Sequence, residues 1–120
     1  MIAHWRKGAR DALDAAKVLQ KADHYAAALF HCHLGVEKAL KAACMESLRR
    51  DPPFTHDLLQ IARLLKREWS NEEEAFLADL SQYAVASRYD DPAWAEREAT
   101  RANAVRWIDE VERLLSILLP

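Results

Sequence analysis

The chain has 120 residues, 51% of them hydrophobic and 30% charged, which is material for one domain around one hydrophobic core. Seventeen Lys and Arg face nineteen Asp and Glu, a net charge of -2, so bulk attraction to nucleic acid or an anionic membrane is not expected, though a local basic patch is compatible with that balance. Met1-Ile2-Ala3 runs straight into His4-Trp5-Arg6-Lys7, and no apolar run nears the roughly 20 residues a bilayer requires; no signal peptide and no membrane span are expected, and a cytoplasmic location follows by default.

The first segment, about residues 3–22, places Trp5, Ala9, Ala12, Leu13, Ala16 and Leu19 on one stripe at helical spacing. Asp23 is the expected N-cap of a second helix, about 24–49, whose buried face carries Tyr25, Ala28, Leu29, Cys32, Val36, Ala39, Leu40, Ala43 and Leu48. Its alanines and Gly35 allow a neighbouring helix to approach closely. Cys32 and Cys44 share this helix, roughly 18 Å apart at 1.5 Å per residue, too far for a disulfide, and are expected as buried thiols. Asp51-Pro52-Pro53 stops the helix, since proline lacks the donor and restricts the residue before it. Thr55 is expected to cap a third helix, about 56–68, bearing Leu58, Ile61, Ala62 and Leu65.

Ser70 or Asn71 caps the fourth helix, with Glu72, Glu73 and Glu74 placed favourably in its first turn and Phe76, Leu77, Leu80, Tyr83 and Ala84 on its apolar face. Asp90-Asp91-Pro92 ends it. A short proline-led stretch holds Trp94, and a last helix, about 97–118, keeps Ala104, Trp107, Ile108, Val111, Leu114, Leu115 and Leu118 in register. Nothing alternates with a period of two and no internal repeat occurs, so strands are unsupported. The expected fold is all-α: an antiparallel up-and-down bundle of four to five helices, the first two long, with residues 1–120 as a single domain.

In such a bundle the start of the third helix (His56, Asp57), the end of the fourth (Arg88, Tyr89) and the end of the second (Arg49, Arg50) fall at one rim. Small ligands are commonly held between bundle helices, and His56 adds a group that titrates near neutrality. The plainer alternative pairs Arg88 with Asp57, Asp90 or Asp91 and leaves His56 and Thr55 as caps. His33 and Glu37, four apart, share a helix face, but His31 points elsewhere and one helix supplies too few convergent ligands, so no metal site is expected. Glu37 and Lys41 read as an i,i+4 pair worth about 0.3–0.5 kcal/mol on an exposed face. No glycine-rich phosphate loop, Ser/His/Asp set or CxxC has supporting context, and no cofactor is expected.

Three stretches, in order, resemble the HEPN domains of small prokaryotic proteins. The second helix carries Val36-Glu37-Lys38-Ala39-Leu40-Lys41-Ala42, matching A-x-E-K-x-x-K-A with Val at the first Ala. Thr55-His56-Asp57-Leu58 matches a T-H-D-L opening of the third helix, and Tyr83 with Arg88-Tyr89-Asp90 matches the close of the fourth. The resemblance implies a homodimeric bundle that pairs with a small nucleotidyltransferase in an arrangement like a toxin–antitoxin module, and it implies nucleotide or RNA as ligand. Several branches are metal-independent ribonucleases carrying R-x(4–6)-H on a helix. Arg50 and His56 fit that spacing, with five residues between, but Asp51-Pro52-Pro53-Phe54-Thr55 is a loop; Arg97, Arg101 and Arg106 have no histidine after them.

The expected function is therefore a binding module without the nuclease motif. Glu37, Lys41, His56, Asp57, Arg88 and Tyr89 are its candidate ligand residues: Arg88 and Lys41 for phosphate, Tyr89 or Tyr83 for stacking, and Glu37, His56 and Asp57 to orient them. Trp5, Trp94 and Trp107 are candidates for a partner surface if exposed. The alternatives are a toxin ribonuclease, with His56 as acid–base group and Arg50 or Arg88 on the scissile phosphate, and a purely structural helical adaptor.

Overall fold

The computed structural model describes residues 1–88 and 91–120, and is helical in the order α1 (Ile2–Lys21), α2 (Tyr25–Leu48), α3 (Leu58–Ala62), α4 (Asn71–Ala86), α5 (Pro92–Glu98) and α6 (Arg101–Leu118). α1, α2, α4 and α6 form the up-and-down bundle, and α3 and α5 are short helices in its connections. The Lys17–Glu112 ion pair at 2.8 Å and the bond from Arg10 Nη2 to the Pro120 carbonyl at 3.1 Å run α1 and α6 antiparallel. The Tyr83 hydroxyl donates to the Ala26 carbonyl at 3.3 Å, setting the end of α4 beside the start of α2.

α2 is the spine, packed against every other helix. It is therefore covered on nearly all sides and carries no strong polar face. Ala9, Ala12, Leu13 and Ala16 of α1 lie against it, and a Cβ on Gly35 would sit 3.4 Å from the Ala9 carbonyl, so the small residues do let the two helices close up. Leu29, Leu40, Leu58, Ile61, Leu77, Leu80 and Leu114 are fully buried, and Trp107 meets Phe76 and Tyr83 edge-on at ring separations of 5.8 and 5.7 Å. Cys32 and Cys44 are buried free thiols, and burial pushes the Cys32 thiol up to about 12.

Four helix boundaries differ from those expected. Asp23 is not the cap of α2: it adopts a left-handed conformation, φ 64°, that reverses the chain, and His24 takes the cap position without a side-chain bond. α3 is five residues long, not thirteen, and is capped by Asp57, whose carboxylate accepts the N–H groups of Leu59 and Gln60. Thr55 supports that cap, its hydroxyl accepting the Asp57 N–H at 3.1 Å. The helix stops at Ala62, where the Trp69 indole N–H takes the terminal carbonyl at 3.1 Å. Residues 97–98 belong to α5, capped by Asp91 with Pro92 in its first turn, and α6 starts afresh behind the Thr100 cap.

Ser70 is the cap of α4, in a reciprocal capping box with Glu73. No helix among the described residues is long and apolar enough to cross a membrane.

The path between α2 and α3 decides where the candidate residues meet. After Leu48 the chain turns through Arg49, at φ 52°, and residues 50–57 run back along α2. Seven extended residues span up to about 23 Å, enough to return from Arg49 past the roughly 18 Å of helix between it and Glu37. The Cys44 thiol then donates to the Ile61 carbonyl at 3.7 Å, so α3 runs parallel to α2. The start of α3 thus lies beside the middle of α2, and does not share a rim with Arg49 and Arg50.

Candidate functional site: a buried carboxylate under His56

Phe30, His33, Glu37 and Lys41 follow one another at spacings of three and four along α2 and form a single stripe. Glu37 is the centre of it, only 5% exposed. Its Oε1 accepts from His56 Nδ1 at 2.8 Å and its Oε2 from the Lys41 ammonium at 3.3 Å. Lys41 is 7% exposed, and its Nζ also stands 5.6 Å from the centre of the Trp5 ring. The Glu37–Lys41 pair is therefore not the solvated surface pair its spacing suggests. The returning loop and α3 cover it, and a buried pair behaves differently from an exposed one.

His33 completes the grip on the loop. Its Nε2 lies 3.4 Å from the His56 carbonyl and 3.8 Å from Glu37 Oε1. A neutral imidazole with its proton on Nε2 donates to that carbonyl and leaves Nδ1 as a desolvated lone pair, a smaller penalty than a stranded N–H. Nδ1 indeed has no partner among the described residues. Burial holds the His33 pKa below its ordinary 6.5, with smaller downward pushes from His56 and Arg88; Glu37 and the His56 carbonyl pull the other way. His56 is clamped at two points, its carbonyl by His33 and its Nδ1 by Glu37. Its side chain is nonetheless 76% exposed, so Nε2 faces out.

Arg88 lies at the other end of the stripe, its guanidinium 4.6 Å from the centre of the Phe30 ring, and Phe30 in turn stacks on His33 with ring centres 6.4 Å apart. The fold thus brings together Arg88, Phe30, His33, Glu37, His56 and Lys41 in one row. Asp57, next to His56, is occupied as the α3 cap. Arg50 is not in the row; its charge acts on the Cys44 thiol, beyond Lys41. Tyr89, and the Asp90 of the same motif, lie outside the described residues. Tyr83 is buried in the core and Trp107 is 2% exposed, so neither offers a face to a ligand or partner, whereas Trp5 and Trp94 are half-buried.

His31 bonds back to the Ala27 carbonyl of its own helix at 2.8 Å. His33, Glu37 and His56 converge, but Lys41 already occupies Glu37 Oε2 and the His33 Nε2 is turned to a carbonyl. Among the described residues no group of three His, Cys, Asp or Glu is arranged to hold a metal ion. Phe30 and His33 are the members of the row that the expected ligand set omits. Their i,i+3 spacing ahead of Glu37 is the signal that could have included them.

The family model for the HEPN domain matches residues 2–119, nearly the whole chain, and the protein belongs to that family. Among solved structures it is similar to the crystal structure of TT1696 from Thermus thermophilus, with a TM-score of 0.83 and 24% sequence identity over 98% of this chain and 94% of that one; this likeness concerns the fold. No curated protein matches the sequence.

The burial of this network has two measurable consequences. Glu37→Ala strands the Lys41 ammonium and unhooks His56, and is expected to cost about 3 kcal/mol, at the low end for a broken buried pair because Lys41 keeps Trp5. Glu37→Leu combined with Lys41→Met should recover most of that loss in urea denaturation, whereas a double variant no more stable than Glu37→Ala would place the energy elsewhere. For His33, a folded-state pKa held below 6.5 means that the unfolded chain binds the proton first, so stability is complete above 6.5 and declines as pH falls below it. His33→Gln keeps a donor for the His56 carbonyl without titrating. Urea midpoints measured from pH 7.5 downward should show the wild type losing its margin over this variant below 6.5.

Proposed function

We propose that this HEPN domain, residues 1–120 as one unit, is a homodimeric, cytoplasmic binding module that associates with a nucleotidyltransferase in a toxin–antitoxin-like pair and takes a nucleotide or phosphate between His56 and Arg88. The observation that carries the ligand part is the row itself. Arg88 over Phe30 at one end of the stripe and His56 above Glu37 at its centre put an exposed guanidinium and an exposed imidazole along one row, with an aromatic ring beside the first. Guanidinium and imidazole donors suit phosphate oxygens, and an aromatic–guanidinium stack suits a base. Lys41 supports the site from beneath, since its ammonium is committed to Glu37. The family membership supports the partner part of the reading.

A second reading, a metal-independent ribonuclease, is favoured by one contact: a buried carboxylate on Nδ1 fixes the tautomer and turns Nε2 outward, as an acid–base histidine requires. In that reading His56 Nε2 takes the proton of a ribose 2′-OH as its oxygen attacks the adjacent phosphorus; the bond from phosphorus to the 5′-oxygen breaks, leaving a 2′,3′-cyclic phosphate, the 5′-oxygen departs with a proton from water, and Arg88 faces the phosphate.

Calorimetric titration with ATP and GTP tests the binding module. Binding weakened at least about tenfold by Arg88→Ala, the loss of one charge-assisted contact, supports it; no heat with either nucleotide removes the ligand site. For the nuclease, RNA is incubated with wild type and with His56→Ala in the presence of a chelator. Cleavage that disappears in the variant establishes the enzyme, and an intact substrate in both leaves the binding module alone.

A further inference from the structure

A groove of about 580 Å³ lies between the start of α3, α4 and α5, a size usual for small-ligand clefts. Leu59 and Val85 supply aliphatic lining, and Trp94 supplies an aromatic wall, half-buried and braced by Tyr83 at a ring separation of 6.4 Å. No Lys or Arg lines the groove among the described residues. The Asp57 and Asp91 carboxylates, both held as helix caps, give its edge a negative sign. The groove itself therefore disfavours an anion and suits a flat, uncharged ring.

Three polar groups break this apolar lining. His56 turns Nε2 outward at the edge, its Nδ1 being fixed by Glu37. The Ser81 hydroxyl oxygen accepts the Leu58 N–H at 3.0 Å, which leaves its own proton to donate. Gln82 is exposed, and its amide carries a donor and an acceptor side by side. That pair matches one edge of adenine, where the amino group donates and the neighbouring ring nitrogen accepts. Guanine presents two acceptors at the same edge, and the Gln82 carbonyl would face an oxygen.

We infer that this groove holds the base of the nucleotide, an adenine, against Trp94, with its amino edge read by Gln82. This rests on the nucleotide reading above and names the base and its seat. His56 belongs to both groove and row, and the Arg88 N–H donates to the Val85 carbonyl at 3.2 Å, so Arg88 follows the groove wall within one turn. A base in the groove sends its phosphates toward the imidazole and the guanidinium, away from Asp57 and Asp91. The Phe30 ring already carries Arg88 and His33, which leaves Trp94 as the aromatic surface for a base and Arg88 for phosphate.

Calorimetric titration with ATP, GTP and inorganic tripolyphosphate tests this on wild type, Gln82→Ala and Ala78→Phe, with circular dichroism melts to confirm folding. Both positions are exposed, and Ala78 lines the groove one turn before Gln82, so a Phe there obstructs it without adding charge. Wild type is expected to bind ATP at least about tenfold more tightly than GTP, because one bidentate contact separates the two bases. Gln82→Ala should bring ATP down to the level of GTP, and Ala78→Phe should weaken ATP at least about tenfold, while both variants hold tripolyphosphate as wild type does. Nucleotides bound with no preference for ATP, or indifferent to both substitutions, or lost in parallel with tripolyphosphate, overturn the base site; the phosphate contacts of the row then stand and the groove belongs to a different occupant. No heat with any of the three overturns the base site and the nucleotide reading together.

Discussion

The way the α2–α3 connection covers α2 depends on a single buried carboxylate. Glu37 sits in the middle of the most enclosed helix, where a lone charge is untenable, and it is held there by partners from two directions. Lys41 arrives from the same helix and neutralises it. His56 arrives from the chain that has left α2 and come back. That second contact, with the His33 bond to the His56 carbonyl, is what pins residues 50–57 against the helix they have just left. The Leu58 N–H, which donates to the Ser81 hydroxyl oxygen at 3.0 Å, adds a second tie between the start of α3 and the bundle.

The same constraint explains the length of α3. His56 must remain extended for its carbonyl to reach His33 and its ring to reach Glu37, so helical backbone begins only after Asp57, which is free to cap. Trp69 then claims the Ala62 carbonyl and ends the helix within two turns. Five helical residues are far too few to be stable alone, and the burial of Leu58 and Ile61 is what holds them in place. The bundle proper supplies a rigid wall, and the polar network decides how the connection lies on it.

Periodicity and punctuation made most of the wall legible in the sequence. The stripes of α1 and α6, the break at Pro52-Pro53, and the choice of Ser70 or Asn71 before three glutamates all follow from spacing and cap chemistry. The failures share a cause. Spacing says which residues of a helix share a face, but not which other element will cover that face. Glu37 and Lys41 therefore read as a solvated pair, because nothing local announces that the chain will fold back over them. Alternating up and down helices place His56 at the far end of α2 only if the connection is a tight turn, and this one is long enough to travel back along the helix. Asp23 is the local exception: Asp serves equally well as a cap and as a left-handed turn residue, and the tight α1–α2 reversal decided between them.

The division of Glu37 between two cationic partners bears on which function suits the site. In an acid–base dyad the carboxylate serves the histidine alone, fixing its tautomer and stabilising the imidazolium as it forms. Here the orienting half of that role is present in the 2.8 Å contact to Nδ1, but the Lys41 ammonium, 3.3 Å from the other oxygen and equally buried, already offsets the charge. What reaches His56 is chiefly direction: a fixed ring, a fixed backbone and an outward Nε2. Such an arrangement presents a hydrogen-bonding group to an anion at low entropic cost, which is a binding task. It supplies less of the electrostatic support that proton removal from a ribose hydroxyl demands. The contacts that aim His56 are also those that hold residues 50–57 against α2, so removing Glu37 would loosen the loop and the imidazole together.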